Sequence, residues 1–259
     1  MGLETSWSHT QFEKFTACPR RYYHYYVLDK KEQDKAGISA QFSRMLVHPL
    51  LGAIYEGRKW NDEEMGGYHA HFISQVGEIA RLQGQYGIGV LEQLRALYIK
   101  IVEADMEAYS TRIVEPRLMV NVKGCIVVVK PDIVLQNRKN GFQDVPLDFK
   151  VSAYEQPKNS LPYNDQFVGQ CIATGSDFYL CDNIKVTKAG KVSRIREQVF
   201  VSLELKEEWF DEQAVMIATR NAALGSNVWP KHSQNCYQFN QPCPFIVNCS
   251  TGRTYGGTT

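Results

Sequence analysis

The sequence predicts an α/β fold: a central mixed β-sheet flanked by helices, with a helical insertion ahead of the sheet and a cysteine-stapled C-terminus. Two observations predict it. β-Rich runs come in two pairs, each joined by a short polar turn containing glycine, one at Asn137 to Gly141 and one at Lys188 to Lys191. Segments with apolar residues at helical spacing precede, separate and follow those pairs.

Taken in order, residues from Thr5 to Tyr26 open with a helix signal, in which Ser8 can cap and Phe12, Phe15, Cys18 and Tyr22 recur at helical spacing. Cys18-Pro19-Arg20-Arg21 interrupts it and leads into five aromatic or histidine residues, Tyr22 to Tyr26. Aromatic core packing with two surface arginines explains this stretch. So does contact with a nucleic-acid strand, with Tyr22 stacking and Arg20 and Arg21 on phosphates. Gln41 to Gly57 reads as a helix carrying His48, directly before Pro49, which should kink or restart it. A lone histidine there reads first as a core or cap residue. Asn61 to Ile79 and Val90 to Tyr109 form two further helices, broken at Gln83 to Gly89. Glu115 to Val122 is a strand, with Gly124 turning into the next one. Asn164 caps a helix through Phe178, placing Gln166 and Gln170 one turn apart on one face. Phe178 to Lys185 and Ser193 to Leu205 make the second hairpin, and Lys206 to Leu224 an amphipathic helix. From Gly225 the chain is irregular.

Composition bounds the function. The 259 residues suit one domain, segmented as N-terminal helices (1–57), a helical segment (58–110), a core (111–224) and a Cys-rich end (225–259). With 44% apolar and 22% charged residues it is an ordinary globular composition, and a net charge of +1 argues against nucleic-acid binding by bulk charge while leaving room for a basic groove. There is no apolar run of membrane-spanning length and no signal-peptide pattern, so a cytoplasmic location is expected. Seven cysteines is an odd count, and in a reducing compartment clustered thiols read as metal ligands.

The chemistry concentrates in Lys130-Pro131-Asp132 and Asp148-Phe149-Lys150. The apolar run Ile126 to Val129 leads into Asp132, and the chain returns through Val145 to Val151. With a period of two, Val145, Leu147, Phe149 and Val151 share one face and Asp148 and Lys150 the other. An acid at the end of one strand can thus meet an acid and a lysine on the next, an arrangement that holds a divalent cation and a positive charge beside a phosphate. Charges at the end of so apolar a strand need a reason. A second constellation is Cys236, Cys243 and Cys249, three thiols in a segment with little pattern to fold it, with Cys18 as a fourth ligand for zinc or an iron–sulfur cluster. Cys125, Cys171 and Cys181 sit in strand or helix patterns and read as buried hydrophobes.

This ordered set resembles the PD-(D/E)XK nuclease superfamily, and within it the RecB-like branch with iron–sulfur clusters, which includes AddB-type nucleases, CRISPR-associated exonucleases and phage exonucleases. Cys18-Pro19-Arg20-Arg21 looks like the family's N-terminal helix motif, Leu46 to Gly57 its histidine-bearing helix, Pro131-Asp132 and Asp148-Phe149-Lys150 the name-giving motifs, and Gln166 the glutamine of the following helix. Three positions depart: six residues precede Cys243 where two are common, Gln170 stands for the usual tyrosine, and Pro49 follows His48. Glu115 resembles an acid found on the preceding strand in many relatives.

The resemblance implies a restriction-endonuclease-like core and Mg²⁺- or Mn²⁺-dependent hydrolysis of DNA, as an exonuclease in recombination, repair, phage replication or CRISPR adaptation. Asp132, Asp148, the carbonyl of Phe149 and His48 would hold the cation. Lys150 would position water or stabilise charge, and Gln166 and Gln170 would orient Lys150 or the DNA end. Cys18, Cys236, Cys243 and Cys249 would hold a [4Fe–4S] cluster, with zinc as the alternative. A helicase or recombination partner and a homo-oligomer would fit the same resemblance. Two other classes stay open: a DNA-binding scaffold that keeps the fold without cutting, and a zinc-stapled protein of unrelated chemistry.

Overall fold

The computed structural model describes residues 6–30, 37–77, 80, 82–139, 143–152, 161, 164–238 and 241–250. The chain divides into two compact units, one of Met1–Lys35, Met119–Val128 and Glu207–Thr259, the other of Ala36–Leu118 and Val129–Lys206. In chain order, β1 (Ser6–Ser8), α1 (His9–Ala17) and α2 (Pro19–Tyr22) run into a π turn, Tyr23–Val27. Next come α3 (Ile38–Phe42), a second π turn (Ser43–Val47), α4 (His48–Tyr55), α5 (Asp62–Val76) and α6 (Ile88–Ala108). The strands β2 (Tyr109–Val114), β3 (Leu118–Val122), β4 (Cys125–Val129), β5 (Ile133–Asn137) and β6 (Gln143–Ser152) follow. Then come α7 (Asp165–Thr174), β7 (Phe178–Val186), β8 (Val192–Phe200), α8 (Leu203–Ser226), β9 (Tyr237–Gln238), β10 (Gln241–Pro242) and α9 (Ile246–Ser250).

The second unit is built on a mixed five-stranded sheet of order β2-β5-β6-β7-β8. Its pairs are antiparallel except β6 with β7, which run parallel with Asp148 beside Cys181. A parallel neighbour cannot be reached by a tight turn, and α7 is the crossover between them. Val145, Leu147 and Phe149 lie in the apolar core with Leu50, Leu51, Leu91 and Leu94 of α4 and α6. Asp148 faces the other way, beneath α7. One face of β6 is thus an ordinary core, and the other is free to carry chemistry.

Local sequence explains the flanking helices. Asn61 and Glu64 form a reciprocal capping box at the start of α5. Pro49 stands in the first turn of α4, where a missing N–H costs least, and the wider π turn before it makes room for the ring. The β7–β8 turn closes at Gly190, with φ +77° and a Cβ position only 2.7 Å from the Gly84 carbonyl oxygen, so any side chain there would clash as well as strain the backbone.

In the first unit, β1 pairs parallel with β4 in a three-stranded sheet of order β1-β4-β3. β3 and β4 join through Lys123 and Gly124, both at positive φ as a tight primed turn requires. Ser8 caps α1 in a second capping box. Trp7 is fully buried among Phe12, Phe15 and Tyr22, its ring N–H donates to Gln213 Oε1 at 3.1 Å, and the Arg220 guanidinium lies 4.6 Å from its ring centroid. The segments from both ends of the sequence meet here: the backbone N–H of Arg20 donates to the Pro230 carbonyl at 3.1 Å.

Several expected boundaries move. Ile126 to Val129 does not continue into the hairpin strand but forms β4 in the other sheet, and Asp132 lies in the break before β5. The partners of those apolar residues are β1 and β3, which are distant in sequence or follow a turn, so their pairing is invisible to local pattern. The helix expected to reach Tyr109 gives way there to β2. Glu115 accordingly sits in the following turn at φ +48° rather than on a strand. The helix capped by Asn164 ends at Thr174, stopped by Gly175 in the left-handed region, and α8 begins at Leu203 rather than Lys206. The irregular C-terminal segment contains α9. The Asn140-Gly141 turn and the residues after Ser250 lie outside the described residues. Among the described residues, no helix is long and apolar enough to cross a membrane.

Candidate active site

Ile133 pairs with Leu147, so Asp132 stands one step beyond the last paired residue of β5, level with Asp148. The period of the strand turns Asp148 and Lys150 to the same side. Asn164 Oδ1 accepts the backbone N–H of Gln166 at 3.0 Å, fixing the first turn of α7 over that side. Gln166 and Gln170, four residues apart, then both face the acid. The site belongs wholly to the second unit.

Hydrogen bonds link most of these side chains. Gln166 Nε2 donates to Asp148 Oδ1 at 2.9 Å, and Lys150 Nζ donates to Gln166 Oε1 at 2.9 Å. Gln170 Nε2 donates to the same Asp148 oxygen at 3.2 Å and to the Lys130 carbonyl at 3.3 Å. Lys150 Nζ lies 2.7 Å from Asp148 Oδ2, an oxygen that is buried and lacks any other donor, and 5.0 Å from the Phe167 ring centroid. Asp132 Oδ2 accepts the backbone N–H of Phe149 at 2.6 Å, and its Oδ1 lies 2.9 Å from His48 Nδ1. The His48 ring in turn packs edge-on against Phe149.

Electrostatics follow from that packing. Asp148 is 2% exposed; burial, then the charge of Asp132, raise its pKa against the pull of Lys150. Burial works against the charged forms of Lys150 and His48. The carboxylates outweigh it in both cases, Asp148 acting chiefly on Lys150 and Asp132 chiefly on His48, so both pKa values rise. Two neighbouring acids, one with a buried oxygen short of donors, are what a hard divalent cation would offset, so the residues fit one. Asp132, Asp148 and a backbone carbonyl are its natural ligands. His48 spends one ring nitrogen on Asp132. Among the described residues no group of three or more His, Cys, Asp or Glu side chains is arranged as a metal-ligand set.

The three cysteines expected to be buried are so, and Cys18 is buried as well. Cys125, Cys171 and Cys181 are buried. Cys18, Cys236, Cys243 and Cys249 all lie in the first unit, where burial, partly offset by nearby arginines, and mutual repulsion among the thiols raise Cys243 and Cys249. The four thiols lie close enough to act on one another's charge, and Cys249 Sγ lies 3.8 Å from His24 Nε2. Tyr22 is 1% exposed and packs against Trp7, Phe15 and Tyr26, so its ring is spent on the core and is not available to stack on a base. Arg20 Nε donates to the Trp229 carbonyl at 3.1 Å. Core packing therefore accounts for the Tyr22 ring.

Pattern reading missed a second buried charge cluster on the Phe149 side of the sheet. Asp182 accepts from Arg194, from Arg196 and from Tyr98 Oη, while Arg196 also reaches Asp105 and Tyr55. Its one legible sign was Asp182 following the apolar run Phe178 to Cys181 in β7.

The model of the PD-(D/E)XK nuclease superfamily matches residues 6–250. No curated protein sequence matches the chain significantly. Among solved structures, a provisionally assigned exonuclease from Eubacterium rectale aligns over 99% of this chain and 91% of its own, with a TM-score of 0.57 at 14% identity. The crystal structure of SSO0001 aligns over 96% and 88%, with a TM-score of 0.41 at 14% identity.

Proposed function

Because the chain belongs to the PD-(D/E)XK nuclease superfamily, we propose that it is a DNA exonuclease of the RecB-like branch that uses Mg²⁺ or Mn²⁺. The observation that carries this reading is Asp132 beside Asp148, with Lys150 and Gln166 bonded into one set. A divalent cation bound there would polarise the phosphate and make water a better nucleophile at neutral pH.

The chain's own groups do the rest. Asp132 and Asp148 supply hard oxygens, with the Phe149 carbonyl and the second nitrogen of His48 completing the ligands. The backbone N–H of Phe149 and the His48 ring fix the angle of the Asp132 carboxylate. Against burial, the neighbouring Asp148, then Asp132, raise the pKa of Lys150. Placed 2.7 Å from Asp148, its ammonium would stabilise negative charge developing on the phosphate. Gln166 holds Lys150 at that station, and Gln170 steadies Asp148 from the next turn.

The test is degradation of end-labelled single- and double-stranded DNA with Mg²⁺ or Mn²⁺, repeated with blocked ends and closed circles. Cation-dependent loss of linear but not circular DNA is expected, abolished by Asp148→Ala. Full activity in that variant would overturn the assignment, and cutting of circles would replace exonuclease by endonuclease action.

For Cys18, Cys236, Cys243 and Cys249 we keep the [4Fe–4S] cluster as a proposal, supported by the ordered motif and by thiols whose mutual repulsion a bound metal would relieve. No catalytic step runs through them. Iron and zinc analysis after anaerobic purification decides between cluster, zinc and neither.

A further inference from the structure

A cavity of about 330 Å³ opens in the second unit between α4, α5 and the end of β2. It is tied to the catalytic set through the backbone. Pro49, next to His48, lines it, and so does Glu115, whose N–H donates to the Asp132 carbonyl at 2.7 Å. Glu115 holds φ +48°, a conformation costly for a residue with a side chain and typical of functional sites. Trp60 and Tyr68 also line it, and their rings stack at 4.4 Å with planes 20° apart. Trp60 is the fixed partner: it is buried, and Arg95 donates to its carbonyl at 2.8 Å. Tyr68 is 49% exposed and lines the cavity. Arg58 and Glu56, paired at 2.6 Å, stand at the rim.

We propose that this cavity is a subsite for one unpaired base of the DNA strand, which stacks on Tyr68 while Glu56 and Glu115 accept from its amino edge and Arg58 meets the adjoining phosphate. The volume lies at the small end of ligand pockets, enough for a nucleotide and far too little for a duplex. Aromatic faces take any base, and exposed stacking platforms of this kind are how nucleic-acid enzymes hold single strands. Two carboxylates at the wall suit amino-bearing bases over free phosphate, which they would repel. The subsite rests on the nuclease reading and names its substrate as a strand with a frayed or single-stranded end.

The test uses the full chain in EDTA and follows binding of a fluorescein-labelled 15-nucleotide single strand, a blunt duplex of the same sequence, and dAMP alone. Tyr68→Ala should weaken single-strand binding about five- to hundred-fold. Tyr68→Phe should stay within about twofold, and duplex binding should not change. Arg58→Ala, on an exposed side chain, serves if Tyr68→Ala does not fold; it should weaken single-strand binding and lower the salt slope by about one. Unchanged single-strand binding in these variants, with cation-dependent cleavage intact in the wild type, overturns the subsite and leaves the nuclease. Equal losses for both DNA forms, or dAMP binding as tightly as the strand, also overturn it. A wild type that neither binds nor cleaves any DNA removes both readings.

Discussion

The side-chain amide of Gln166 is shared between Asp148 and Lys150: its Nε2 donates to the acid at 2.9 Å and its Oε1 accepts from the ammonium at 2.9 Å. An amide can do both at once, and neither a carboxylate nor a hydrocarbon can. Gln166→Leu should therefore keep the fold and lose roughly ten- to hundred-fold in cleavage rate at saturating cation, the range for removal of a residue that orients a ligand. Gln166→Glu should be no better, because it replaces the donor facing Asp148 with a second negative charge. Rates on end-labelled DNA, beside unfolding midpoints of both variants, check this.

Asp132 and Asp148 repel each other in the absence of a cation, which is part of why the pKa of Asp148 rises. A cation that binds the folded state alone stabilises it by mass action, about 2.7 kcal/mol at a hundredfold excess over its dissociation constant. Millimolar Mn²⁺ or Mg²⁺ should thus raise the thermal midpoint of the wild type. Asp132→Ala and Asp148→Ala should show no such rise. The measurement needs no DNA, so it tests the cation site separately from catalysis.

How much of this was readable depends on the range of each interaction. The Asn164 cap, the four-residue spacing of Gln166 and Gln170, and the shared face of Asp148 and Lys150 are local consequences of helix and strand geometry, and they appear as expected. β4 was misplaced because its apolar residues fit any buried strand, and only its partners β1 and β3 decide which sheet it joins. Tyr22 was ambiguous for a related reason: the same ring suits a base or Trp7, and nothing nearby in sequence chooses. The Trp60–Tyr68 stack gave no motif at all.

The Asp182 cluster is the clearest case of long range, since its partners lie 12 residues away at Arg194 and 84 away at Tyr98. Asp182 is fully buried, and Arg194 and Arg196 both lie 2.7 Å from its Oδ1. Removing one member of such a set leaves buried charge uncompensated. Asp182→Ala should cost about 3–5 kcal/mol in urea unfolding. Replacing Asp182, Arg194, Arg196 and Asp105 together with apolar residues should recover much of that loss, because Asp105 is the other carboxylate paired with Arg196 and no orphan charge then remains. A loss in Asp182→Ala below 1 kcal/mol would mean that water reaches the guanidinium groups.

Cys171 lies on α7 and Cys181 beside Asp148 on the sheet, and burial pushes both thiols up to about 12, with the nearby Asp148 adding to the rise at Cys181. The thiolate is the reactive form, so at pH 8 only about one part in ten thousand is available. Iodoacetamide should leave both unmodified in the native protein and alkylate them after unfolding. The sign for stability follows from the same shift. Folding favours the neutral thiol, so its contribution is complete below the ordinary thiol pKa near 9 and is lost as pH rises towards 12. Across that window each thiol should subtract up to about 1.4 kcal/mol per pH unit. Other groups titrate there too, which makes the difference between wild type and Cys171→Ala/Cys181→Ala the useful quantity. Urea midpoints at pH 8 and pH 10 should converge for the double variant relative to wild type; parallel losses in the two proteins would show that the thiols already ionise in the fold.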